Sequence, residues 1–238
     1  MSSIPLGFMF RLRFSCRRAP SSLDPRALAP EALDASYSAP FWSQIELAED
    51  SPLAARARNR AKGRERTNAS LFDFRLAWLP TGLAFTTVVA GKSEQSIFLP
   101  TRLEHADSIR LCLDTRDVKE SHRASRFCHR FVFYPTVAAS PTESRPIAQW
   151  APINRAKASP SPVDVSLFAL ASERRADGYA FSAFLPSGAL TGYDAEEFNR
   201  IGLHYIVFDS EHGAFALQHY APLPAEEDPS LWPSFELT

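Results

Sequence analysis

The sequence predicts an all-β fold: a jelly-roll-like β-sandwich, mostly antiparallel, with long Pro-rich loops and little helix. Three observations carry that prediction. Apolar residues recur at period two rather than at the three-to-four spacing of a helix. About ten such runs follow one another with turn residues between them, the pattern of a sandwich rather than of alternating β-α units. The 19 prolines gather mainly in three irregular stretches. The chain has 238 residues and no linker between two cores, so residues 1–238 are expected to form a single domain.

Phe8, Phe10, Leu12 and Phe14 alternate with Met9, Arg11 and Arg13, which predicts an opening strand with one face buried. Trp42, after Pro40-Phe41, marks another strand start. Phe72, Phe74, Leu76 and Trp78 alternate with Asp73, Arg75 and Ala77 before Pro80-Thr81-Gly82 turns the chain into the apolar run 83–90. Proline and glycine supply the turn dihedrals, so the pair reads as a hairpin. Runs 108–115, 126–134, 163–170, 179–185, 202–209, 214–220 and 231–237 complete the strands. Residues 52–66 are rich in Ala and Arg, but Leu53 is their only large apolar side chain, so a helix there has no face to bury. Single turns are expected at 186–190 and 194–198, and loops over 18–40, 135–162 and 222–230.

Composition narrows the function classes. Net charge is −1, so no global field favours nucleic acid or an anionic membrane. No stretch supplies the roughly 7–15 apolar residues of a signal peptide or the roughly 20 of a membrane span. Cys16, Cys112 and Cys128 form no disulfide framework, which fits a reducing compartment. The expectation is a cytoplasmic protein with no nucleic-acid and no membrane partner. Nucleotide-binding glycine fingerprints, a serine-nucleophile elbow, a metalloprotease histidine pair and zinc-spaced cysteine pairs are all missing from the sequence. No catalytic residue is assigned.

The densest polar chemistry lies between residues 109 and 131. Alternation puts Ile109, Leu111 and Leu113 on one face of a strand, and Arg110, Cys112, Asp114 and Arg116 on the other. In the following strand Phe127, His129, Phe131 and Phe133 share a face, opposite Arg126, Cys128 and Arg130. Arginine offers a planar fork of donors suited to carboxylates, phosphates or sugar hydroxyls. The candidate ligand contacts are therefore Asp114, Arg116, His122, Arg123, Arg126 and His129. Trp150, in the loop sequence Gln149-Trp150-Ala151-Pro152, is the candidate stacking platform. A competing account makes the cluster an Arg–Asp ladder that stabilises a sheet face. Trp78 and Trp232 read as packing residues and Trp42 leans the same way. Cys128 and His129 point to opposite faces, so at most one could join a shared metal site, and no metal ligands are assigned.

Residues 113–117 with 122–131, Leu190-Thr191-Gly192-Tyr193-Asp194 and Asp228-Pro229-Ser230-Leu231-Trp232 together resemble a bacterial family of uncharacterised proteins. That family is related to family 9 carbohydrate-binding modules and overlaps the DOMON-like sandwiches. The hairpin over 76–92 and the strand over 202–209 are similar to it as well. The resemblance implies a jelly-roll sandwich, sugar recognition between two tryptophans, and structural calcium. It points to a non-catalytic module for a sugar or polyol ligand. The alternative is a protein-interaction scaffold with no small-molecule ligand. An enzyme would need converging acid–base groups, for which Asp114 with His122 or His129 is the local candidate. Haem, as in some DOMON-like relatives, would have to draw an axial ligand from Met1 or Met9.

Overall fold

The computed structural model describes residues 12–29, 32–33, 43–45, 71–93, 98–101, 103, 106–138, 143–217 and 224–238. Twelve strands form two sheets, and no α-helix occurs among the described residues. The smaller sheet has the order β3-β4-β9-β8: Phe72–Leu79, Gly82–Val89, Gly178–Pro186 and Ala169–Arg175. The larger runs β1-β12-β10-β5-β6-β7: Arg13–Cys16, Ser234–Leu237, Arg200–Asp209, Ser108–Asp114, Cys128–Ala138 and Ser144–Trp150. Beside β12, β10 also pairs with β11 (Gly213–Ala216), which carries β2 (Ser43–Ile45) on its outer edge. Every pairing between these named strands is antiparallel except β1 with β12. This is the expected sandwich.

The period-two residues meet between the sheets. Phe74 of β3 stacks on Tyr205 of β10 at 3.8 Å between ring centres, and Phe85 of β4 meets Phe133 of β6 edge-on at 5.1 Å. The edge-on pair suits the ring quadrupole, and burying each such side chain stabilises by roughly 1.5–3 kcal/mol. The predicted hairpin closes where Leu79 pairs with Gly82 around Pro80-Thr81. Gly82 has φ +153°, and a Cβ there would run into the Leu185 carbonyl of β9, so only glycine allows β4 to approach β9 so closely.

The two outer faces differ. Residues of the stretches 19–29 and 32–33 lie over the small sheet, packing Leu28 and Leu33 on Ala77 and Ala84. Part of the predicted 18–40 loop is thus a cover over apolar surface. On the large sheet, Trp232, Ile153 and Ala124 cover Cys112 and Cys128 at one end.

Several expectations shift. The 135–162 stretch, read as a loop, contains β7 and the end of β6. Pro135 sits where the β6–β7 register shifts between Tyr134 and Val137, and Pro146 lies in β7 at the edge of the strand order. Those are the places a sheet tolerates a residue without a donor. The run 163–170 is a 3-10 turn, Val165–Leu167, before β8, because Asp164 caps it by accepting from the Ser166 N–H and hydroxyl at 3.0 and 2.6 Å. The run 231–237 likewise begins in a turn, Pro229–Leu231, capped by Asp228. The single turns at 186–190 and 194–198 form as expected. Most of the opening strand (Phe8, Phe10), Trp42 and the 52–66 segment lie outside the described residues.

Candidate functional site

Among the described residues Trp232 and Ile153 cover one end of the outer face of the large sheet, while Ile206, Phe208, Ala214 and Ala216 pack as a buried cluster on β10 and β11 beside it. A concave groove of about 220 Å³ lies over β5, β6 and β10 there. Alternation supplies its floor: Ser108 and Arg110 from β5, Val132 and Tyr134 from β6, Phe208 from β10. These strands lie side by side, with Arg110 opposite Val132 on one side and Ile206 on the other. Arg130, two residues before Val132, closes one end. Leu103, Ala106 and Ala151 add apolar rim, and Glu226 enters from the segment before Trp232.

Charge defines the groove's polar end. Arg110 Nη1 donates to Glu226 Oε1 at 3.0 Å, and Arg130 Nη1 lies 3.8 Å from Glu226 Oε2. Arg130 Nη2 donates to the Pro152 carbonyl at 2.6 Å, tying β6 to the loop beyond β7. Beneath them is the thiol of Cys112, whose pKa is pushed far up by burial and by the Glu226 charge. It is a packing residue rather than a nucleophile. All three cysteines are buried and free.

The sequence-selected residues surround the loop after β5 and do not converge on one cleft. Asp114 is buried and accepts from the Arg116 and Val118 N–H groups at 3.0 and 2.8 Å, shaping the turn; burial raises its pKa. The Arg116 guanidinium lies between Phe198 and Phe127, 3.3 and 5.1 Å from their ring centres, with Nη1 buried and unpartnered. Arg126 flanks the same Phe127 at 4.8 Å. His122 is exposed, with Nδ1 3.0 Å from both Asp228 and Ser230. Arg123 donates to the Arg155 carbonyl at 2.9 Å. His129 lies between the sheets, stacked on Phe131 and fully buried; burial lowers its pKa to about 4. Trp150 is half-buried against the main core at the end of β7, rather than standing clear on a loop. The candidate acid–base pair is not assembled, since neither His122 nor His129 bonds Asp114. Trp78 and Trp232 are packed, as expected.

That loop is instead a buried brace. Asp117, in the left-handed region at φ 50°, pairs with Lys119 at 2.6 Å and accepts from Ser234 Oγ at 2.7 Å. Lys119 also donates to the Trp232 carbonyl. Alternation alone had already placed Arg110 and Arg130 on the groove face. Glu226 and Phe208 come from distant segments, and no local pattern marks them.

Calcium, implied by the family resemblance, requires about 6–8 oxygen ligands. Among the described residues no three His, Cys, Asp or Glu side chains converge as a metal site. One buried carboxylate pair already holds a cation: the Lys92 ammonium donates to Asp107 at 2.7 Å and to Asp209. The other oxygens of these two aspartates accept the N–H groups of Ser210, Glu211 and His212. The residues described do not fit calcium.

The architecture is similar to solved carbohydrate-binding modules. A family 9 module from Caldicellulosiruptor kristjanssonii, in complex with cellotriose, matches with a TM-score of 0.59 at 13% identity, over 95% of this chain and 93% of that one. A family 9 module from the same organism in complex with glucose matches at 0.49 and 14% identity, over 70% of this chain and 76% of that one. At such identities the likeness concerns the fold. No family model and no curated protein matches the sequence.

Proposed function

We propose that the protein is a non-catalytic carbohydrate-binding module whose ligand lies in the groove over β5, β6 and β10. The observation that carries this reading is the combination of lining groups in one open concavity. Tyr134, half-buried on the groove floor, offers aromatic surface for a sugar ring, and the part-exposed Arg110 offers donors for its hydroxyls beside Arg130 and Glu226. At about 220 Å³ the groove is below the roughly 300–1,000 Å³ of a drug-sized pocket, which suits one sugar unit. The family 9 module that matches over most of the chain was solved with cellotriose bound, in keeping with a sugar ligand. Glycoside hydrolysis needs two carboxyl groups, and Glu226 is the one acidic side chain among the described lining residues.

The test is the thermal midpoint against a panel of neutral and acidic sugars. A ligand at 100 times its Kd adds about 2.7 kcal/mol, roughly 5–10 °C for a chain of this size. Tyr134→Ala should abolish the shift and Arg110→Gln should shrink it, whereas His122→Ala and Arg123→Gln should preserve it. The opposite result would move the site to the loop after β5. No shift with any sugar would remove the sugar reading.

A further inference from the structure

We infer that the groove prefers a sugar carrying a carboxylate, a hexuronate unit, over a neutral one; this rests on the groove being the sugar site. Two guanidiniums and one carboxylate line it among the described residues, leaving one positive charge uncompensated on a chain of net charge −1. Arg130 is committed to holding structure through the Pro152 carbonyl and Glu226. Arg110 is not. Its side chain is 44% exposed, and among the described residues its one hydrogen bond runs from Nη1 to Glu226. The Nε–Nη2 edge is therefore left unpaired, and that edge is the side of the fork a carboxylate accepts with two parallel bonds.

The acceptor side of the groove is correspondingly poor. Each Glu226 oxygen faces an arginine, so the carboxylate that would take protons from a neutral sugar's hydroxyls is already engaged. A uronate reverses the demand: it brings acceptors and a negative charge to a place with spare donors and a positive one. Charge-assisted bonds of this kind are roughly twice as strong as neutral ones. Tyr134 lines the same groove beside these charges, on the side where the ring's apolar face would lie. The same carboxylate could reach the groove on a simple organic acid, and the test must separate the two.

The experiment is calorimetric titration with digalacturonate, its carboxyl-reduced counterpart, cellobiose and succinate, each at low and moderate salt. Digalacturonate is expected to bind about tenfold or more tighter than the reduced form, with affinity falling as salt rises. Arg110→Gln should erase that preference, and Glu226→Gln, which removes the competing carboxylate, should widen it. Both positions are partly exposed, so the variants are expected to fold, and an unchanged unliganded thermal midpoint confirms it. Equal affinity for digalacturonate and its reduced form would overturn the acid preference and leave the sugar reading standing. Succinate binding as tightly as digalacturonate would overturn both, making the groove an anion site. Cellobiose binding with no response to digalacturonate would sink the inference alone.

Discussion

Two charged triads meet the start of β5 three residues apart, and they follow opposite rules. Lys92 joins Asp107 and Asp209 where nearly all solvent is excluded: one cation, two carboxylates. Arg110 joins Arg130 and Glu226 in the groove: two cations, one carboxylate, all partly wet. Lys92 follows β4 of the small sheet, while Asp107 and Asp209 border β5 and β10 of the large one, so the dry triad clamps the two layers together. Burial alone would lower the Lys92 pKa, but the fields of Asp209 and Asp107 outweigh it and the net shift is upward. Burial and the Asp209 charge also push Asp107 up. In the groove, water screens the charges, and the same interactions contribute little to stability. What a charged cluster does is set by its exposure and by which sign is in excess: the dry triad secures the fold, and the wet one has donors to offer a ligand.

The sharpest way to break this contrast is Lys92→Met. It leaves two carboxylates buried without their cation and should cost about 3–5 kcal/mol by denaturant titration, with ligand affinity of the folded fraction unchanged. A loss under about 1 kcal/mol would mean the triad is not an isolated buried charge system.

His129 and Arg130 extend the contrast to adjacent residues of β6 that point in and out. The folded pKa of His129, about 4, lies below the ordinary value of 6.5, so the unfolded chain binds more protons between those values. Stability from this group is therefore present above pH 6.5 and lost as pH falls towards 4, about 2 kcal/mol of it between pH 7 and 5. His129→Gln should flatten that part of the stability–pH profile, while Arg130→Gln should leave its slope alone. Smaller still is Arg116→Gln, which removes a guanidinium stacked on Phe198 and should cost about 1–2 kcal/mol without altering sugar affinity. Loss of affinity there would return the site to the loop after β5. Smallest in stability is Arg110→Gln, within about 0.5 kcal/mol, although its effect on ligand choice should be the largest of the set.

The strands were legible where side chains alternate, as in β3 and β5, and where apolar runs stand between turn residues, as in β4, β9 and β10, because both signals survive whatever the strand pairs with. Pro135 and Pro146 hid the end of β6 and all of β7: whether proline breaks a strand depends on a bulge or a sheet edge, which are tertiary facts. The densest polar segment drew attention to Asp114, Arg116 and His129. Two of those are buried and the third is stacked between aromatic rings, because a turn rich in hydrogen-bonding groups is also what a sandwich uses to brace its end.

The sequence by itself determined the all-β class, the two faces of β5 and β6, and so the presence of Arg110 and Arg130 on one surface. Only the tertiary structure decided which part of that surface is open. Trp232 and Ile153, remote in sequence, cover Cys112 and Cys128, while Glu226 and Phe208 complete a groove beside the arginines. The physical reason is that alternation records which way a side chain points, a local property of the backbone, whereas exposure depends on which distant segment folds over it.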